Sequence, residues 1–245
     1  MTRRLGIGAA ITAILAATLA TLNAPSASGA DPMYQAPVVV QCFDMSPDEL
    51  AQPSYAEAAV DCAVAHTSQV IAVVQMPDGL AYEGDGLTRF ALETCYAAQR
   101  KALGTNLLGV RLTAFSFGYF GPTAEQQAAG ARWLRCDVVL GNGDQLLPLP
   151  GRLKVGTFPF SAKVSRCLAG RDFHVTVCAK KHTYRATAAL KVDRTRYPSE
   201  KAWQRIGTER CRNATSSRTY RFSWSSKIGW KVGDHTLVCY SQTRH

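Results

Sequence analysis

Beyond its first 30 residues the 245-residue chain has no uncharged apolar run long enough to span a bilayer. It has no Gly-x-Ser-x-Gly elbow, so Ser116 and Ser223, each flanked by aromatics in strand-like segments, are not set up as hydrolase nucleophiles. No glycine-rich loop stands between a strand and a helix, which removes the usual phosphate cradle of nucleotide-binding enzymes. No carboxylate pair recurs along the chain, and a general base needs a positioned partner. Acidic residues are scarce in one half. Residues 151–245 hold 5 Asp+Glu against 20 Lys+Arg, net +15, whereas residues 31–150 hold 13 against 6, net −7. With Arg3 and Arg4 these make the whole-chain charge of +10.

What is present begins with an export signal. Arg3 and Arg4 precede an uncharged run, residues 5–22, rich in Ala, Ile, Leu and Thr. Ser28 and Ala30 then fit the small-residue positions of a signal-peptidase site, so residues 1–30 are expected to be a signal peptide cut before Asp31. The alternative, an uncleaved N-terminal anchor, also leaves the remainder outside the cytoplasm. The cleavage site is not followed by cysteine, which argues against a lipoprotein anchor. All eight cysteines lie after residue 30, and an even number in an exported chain implies disulfides.

The spacing of those cysteines repeats. Cys62-Ala63-Val64-Ala65-His66-Thr67 matches Cys178-Ala179-Lys180-Lys181-His182-Thr183 at an offset of 116 residues. The same offset takes Arg89 to Arg205, Glu93 to Glu209 and Cys95 to Cys211. Cys42 and Cys167 precede the two boxes, and Cys136 and Cys239 follow them. Two tandem units are therefore expected, an acidic one at 31–150 and a basic one at 151–245. The boundary falls in a turn-rich stretch from Gly141 to Gly151. Opposite net charges favour a compact tandem, within the limits set by screening.

Each unit reads as β-β-α-β-β, an α+β plan with a small, mainly antiparallel sheet and one helix packed across it. In the first unit the strands are expected at 38–43, 70–74, 110–117 and 133–140. A helix is expected over 86–103, with Asp85 as N-cap and Gly104 as stop. In the second, strands are expected at 160–167, 183–192, 219–224 and 236–242, with a helix opening at Ser199. Cores this small benefit from staples. Eight cysteines allow 105 pairings. If both units keep one internal scheme, three remain. Leu134, Cys136 and Val138 share a strand face, and Cys95 lies on the apolar stripe of the helix. That favours Cys95–Cys136 and Cys211–Cys239, with Cys42–Cys62 and Cys167–Cys178 by elimination. The competing use of Cys-x-x-x-His as half of a zinc site needs two further ligands in each unit. No metal and no cofactor is expected.

With these boxes the chain resembles the septum formation-related domain family of actinobacterial exported and membrane-anchored proteins. The first copy reads Cys42, Cys62-x-x-x-His66, Cys95, Pro122 to Gln127, then Gly130-x-Arg132-x-x-x-Cys136. The second reads Cys167, Cys178-x-x-x-His182, Cys211, Trp230 and Gly233-x-His235-x-x-x-Cys239. Gln69 and Arg185 stand where the family has an acidic residue after the histidine, Gln127 where it has tryptophan, and His235 where it has arginine. The resemblance implies envelope and division biology and names no reaction.

Candidate ligand or structural residues are His66, His182, Arg89, Arg205, Arg218 and Arg221. The histidines read first as partly buried rings bonded to backbone beside a disulfide. Arg89 and Arg205 stand one helical turn from Glu93 and Glu209, an i,i+4 pairing usually met at the surface and worth a few tenths of a kcal/mol; a salt bridge that pins helix to sheet is favoured over a ligand role. Alternation over 219–224 puts Tyr220, Phe222 and Trp224 toward the core and Arg221 outward, where with Arg218 it would meet an anionic partner. An exported basic surface points to a cell-envelope polymer or an anionic lipid surface rather than nucleic acid. An unknown protein partner is also expected. The leading expectation is a non-enzymatic envelope-binding or scaffold protein; the alternative is a small secreted hydrolase using His66 or His182.

Overall fold

The computed structural model describes residues 31–142 and 145–243. The expected signal peptide, and Gly143 and Asp144 of the expected boundary, lie outside them. In the first half the elements are β1 (Cys42–Phe43), α1 (Pro47–Leu50), β2 (Ser68–Gln75), α2 (Asp85–Leu103), α3 (Leu107–Arg111), β3 (Phe115–Phe120), α4 (Ala124–Ala128), β4 (Trp133–Asn142) and β5 (Gln145–Leu147). In the second they are β6 (Arg166–Ala169), β7 (His174–Val177), β8 (Tyr184–Lys191), α5 (Glu200–Ala214), β9 (Tyr220–Trp224), α6 (Lys227–Lys231) and β10 (Thr236–Gln242).

The class is α+β, with two antiparallel sheets. Their orders are β1-β2-β4-β3, with β5 added on β4, and β7-β6-β8-β10-β9. Reading β6, β8, β10 and β9 against β1, β2, β4 and β3 gives one strand order in both halves. The second half adds β7, which follows β6 in the chain and pairs on its outer edge, a strand the sequence reading lacked.

Local chemistry explains the long helices. In α2 the buried positions Leu87, Ala91, Cys95, Gln99 and Leu103 recur every fourth residue, making one stripe that faces the sheet. Gly104 ends the helix in the left-handed region at φ 66°, which an L side chain adopts only with strain. Asp85 is not the cap: Gly84 holds that position without a side-chain bond, and Asp85 sits inside the first turn, where its charge faces the positive helix end. Ser199 caps α5 through its hydroxyl, which accepts from the Ala202 N–H.

Three expected strands shrink or move. Residues 38–43 keep only β1, because Val40 turns to φ 72°. Residues 110–117 split, because the Asn106 side chain accepts from the Gly109 N–H and holds α3 through Arg111, so β3 starts at Phe115. Residues 160–167 begin as a turn in which Val164 and Ser165 both donate to the Ser161 carbonyl, and β6 starts only at Arg166.

All eight cysteines are paired, as Cys42–Cys62, Cys95–Cys136, Cys167–Cys178 and Cys211–Cys239. The second and fourth join α2 to β4 and α5 to β10. Cys167, Cys178 and His182 do lie within 4.8 Å of one another, the nearest thing to the zinc reading. Their two sulfurs are bonded to each other and offer no thiolate to a metal.

The halves share a core. Leu103, Val110, Phe115, Val138, Leu140, Leu147 and Leu149 meet Phe160, Val164 and Val177 in one buried cluster. Backbone bonds cross as well: Ala114 N–H to the Val164 carbonyl and Arg166 N–H to the Leu112 carbonyl. Compactness thus rests on apolar burial, not on the charge asymmetry. Among the described residues the ion pair that crosses, Arg111–Asp234, runs against that asymmetry, with its cation from the acidic half. The turn-rich stretch is no free tether either: β5 folds back on β4, and the Leu149 N–H bonds the His66 carbonyl.

Candidate functional site

The two histidines are built alike. His66 and His182 are buried, and each Nδ1 lies 2.8 and 2.7 Å, respectively, from the carbonyl two residues earlier, of Val64 and Lys180. A carbonyl only accepts, so Nδ1 carries the proton in both rings and ties each ring to its own loop beside a disulfide. Neither ring lines any of the cavities described below. His66→Ala is expected to cost about 1–3 kcal/mol through the lost bond and the space left behind. Urea denaturation followed by circular dichroism measures it; a midpoint equal to that of the parent protein would remove the structural role.

The expected arginines stand apart from one another. Arg89 reaches Glu93 at 3.7 Å along α2, with both side chains more than half exposed (59% and 54%), so the pair stays on the helix and pins nothing to the sheet. Its contribution is a few tenths of a kcal/mol, ~0.3–0.5 for such helix pairs. Arg205 and Glu209 are exposed on α5 and make no ion pair among the described residues. Arg218 is exposed before β9. Arg221 points away from α5, as alternation requires, but its guanidinium lies 3.6 Å from the Phe173 ring centre and is partly spent on that stack. Tyr220, Phe222 and Trp224 pack on the α5 side.

A buried ion pair escaped the sequence reading. Alternation along β4 puts Leu134, Cys136 and Val138 toward α2 as expected, yet Trp133, Arg135, Asp137 and Val139 on the other face are buried too. Arg135 (1% exposed) grips Asp137 (0%) through Nε and Nη2, both at 2.7 Å, and Ser68 Oγ donates to Asp137 at 2.8 Å. Rings of Phe43, Phe120 and Tyr55 surround the guanidinium at 4.2, 4.8 and 5.5 Å. Burial pushes the Asp137 carboxyl above its ordinary value, while Arg135 and Ser68 pull it back. The signal available in the sequence was two oppositely charged residues two apart on one strand face, a spacing that also fits a solvated surface. Arg135 also lines a cavity of about 630 Å³ with Phe43, Tyr55 and Trp133.

The largest of these cavities, about 900 Å³, lies between the halves. One wall is the end of α2 and the start of α3. Gly104 reverses the chain there, and Asn106 starts the next helix at once, which lays Leu107 and Leu108 along the cleft. Gly109 is required for this turn, because a Cβ would fall on the Thr105 hydroxyl. The other wall is the end of β8 and the approach to β10: Lys191, Gly233, His235 and Thr236. His235 is held flat against Trp230, 3.8 Å between ring centres, with Nε2 3.1 Å from the Trp230 carbonyl. Arg100 and Lys101 add charge from the acidic half. Lys154 lays its methylenes 3.6 Å from where a Gly104 Cβ would stand. Lys191 has an exposed partner in Asp193 at 3.1 Å, a pair of little energetic weight. The cleft therefore has an apolar floor and a cationic rim drawn from both halves. Sequence reading put the positive surface on the second half alone. Arg100 and Lys101 escaped it because only the packing of the halves brings them beside Lys191.

The family model described as septum formation matches residues 42–239, from the first cysteine to the last. No curated protein matches the chain, and no solved structure does.

Proposed function

Because this chain belongs to the septum formation family, we propose that it is an exported, non-enzymatic binding protein of the cell envelope that holds anionic lipid in the cleft between its halves. The compartment is supported by four disulfides, which persist under oxidising conditions. Among the described residues no helix is long and apolar enough to cross a membrane. The non-enzymatic reading is supported by the two histidines, which are buried and line neither the cleft nor the smaller cavities. We further infer that the halves arose by duplication, from the shared offset of the cysteine boxes and the shared strand order.

The cleft carries the reading. Arg100, Lys101 and Lys191 offer charge to phosphate head groups, and Leu107 and Leu108 offer a surface that a purely charged polymer would not use. Vesicle co-sedimentation tests it, with anionic and zwitterionic vesicles compared over rising salt. Each basic residue near an anionic surface contributes about 1 kcal/mol, so reversing two of them (Lys101→Glu with Lys191→Glu) is expected to weaken binding about tenfold or more. Reversing Arg218 and Arg221, which lie outside the cleft, is expected to do less. Binding that ignores both salt and the cleft substitutions would overturn the proposal. Preference for a soluble anionic wall polymer over vesicles would replace lipid with polymer.

A further inference from the structure

A second, smaller cavity of about 230 Å³ opens between the halves, with Arg111 and Tyr96 on one side, Ser225 and Asp234 on the other, and Arg166 at the seam. Asp234 is fully engaged: Arg111 Nη2 pairs with it, and Thr236 Oγ1 donates to it at 2.6 Å. Arg111 also donates to the Tyr96 hydroxyl at 2.9 Å. The remaining donors have no acceptor. Arg111 Nε is buried without a partner. Ser225 is 8% exposed, and its hydroxyl is buried without a partner as well. Arg166 is anchored by Nε to the Thr113 carbonyl at 2.8 Å, and its terminal nitrogens make no hydrogen bond among the described residues.

The lining residues thus include unpaired donors on three residues and one cation, Arg166, that no carboxylate offsets. A buried orphan donor costs about 1–3 kcal/mol, which native structures rarely leave uncompensated. Water would satisfy the hydroxyl and the Nε, and solvent reaches the half-buried Arg166, but water brings no opposite charge to that cation. An oxyanion answers both, and donors on three separate residues suit a group with three free oxygens better than a carboxylate with two. We propose that this cavity binds one phosphate group, free or as the head of a phosphomonoester, held jointly by the two halves. It is distinct from the larger cleft: Arg111, Arg166 and Ser225 do not line that cleft, and Thr236 stands in the wall between them.

Calorimetric titration of the chain from residue 31 onward, at fixed ionic strength, tests this with inorganic phosphate, glycerol phosphate and acetate. One saturable site for a phosphate is expected, with acetate at least about tenfold weaker. Ser225→Ala is the informative variant. It removes a hydroxyl that has no partner to lose, so the ligand-free melting temperature is expected to hold while phosphate binds about tenfold more weakly. Arg166→Gln is expected to abolish binding, and Lys101→Glu with Lys191→Glu to leave it unchanged, which separates this site from the lipid cleft. Saturation by inorganic phosphate alone identifies a free anion, and saturation by glycerol phosphate identifies an ester head; either supports the site. Absence of saturation by both, or parental affinity in Ser225→Ala, would overturn it.

Discussion

Reduction of the four disulfides in denaturant, followed by transfer to native buffer under reducing conditions, is expected to leave the chain largely unfolded at room temperature. A disulfide in a small secreted domain contributes about 2–5 kcal/mol, and a whole protein of this kind has about 5–15 kcal/mol in hand. Losing four bonds therefore removes about as much stability as the fold possesses. The effect should also be graded. Cys95–Cys136 and Cys211–Cys239 close separations of 41 and 28 residues, while Cys42–Cys62 and Cys167–Cys178 close 20 and 11. Longer closed loops lose more unfolded-state entropy. Cys95 and Cys136 are also fully buried between α2 and β4, where no rearrangement of the surface can replace them. The double variant Cys95→Ala with Cys136→Ala is expected to lower the melting temperature by roughly 5–20 °C, and Cys167→Ala with Cys178→Ala by less. Thermal melts of the four double variants check the order. An unchanged melt after verified reduction of all bonds would sink the idea that the staples carry the stability.

Replacing Arg135 with methionine is expected to cost about 3–5 kcal/mol, because it leaves the Asp137 carboxylate buried with Ser68 alone. The sign with pH follows from the carboxyl. Burial already holds its folded-state affinity for a proton above the ordinary value of 3.8, and Arg135 works against that rise. Without Arg135 the rise is larger. A carboxyl raised in this way contributes stability that is present below its unfolded value and is lost as pH climbs through its folded value. The deficit of Arg135→Met should therefore be greatest near neutral pH and shrink toward acid. Arg135→Met combined with Asp137→Leu should be milder than Arg135→Met alone, since no charge is then stranded. Urea midpoints measured across pH for the parent and both variants settle it. A single-variant deficit that grew toward acid would contradict the account.

These two predictions sit at opposite ends of what could be read in advance. The cysteine pairing followed from spacing and alternation: Cys95 lies on an apolar helical stripe and Cys136 on the strand face that stripe must cover. Helix ends were nearly as plain, since Gly104 and Ser199 act through their own backbone and side chain within three or four residues. Where local chemistry competed, the reading slipped. Residues 110–117 are rich in strand-forming side chains, but a cap at Asn106 claimed the first of them for α3. Arg89 shows a different limit. Its pairing with Glu93 was visible, but whether that pair faced the sheet or water was not.

Sequence by itself determined the α+β class, the disulfide plan and the septum formation family, because these depend on periodicity and on the spacing and repetition of cysteines within each half. Only the tertiary structure decided which charges are buried and where cations converge. Ser68 meets Asp137 across 69 positions, and Arg111 meets Asp234 across 123. The rim of the large cleft takes Arg100 and Lys101 from one half and Lys191 from the other. The fate of a charged side chain depends on what covers it and what answers its charge, and both are supplied by residues that are distant along the chain until the two halves close on one core.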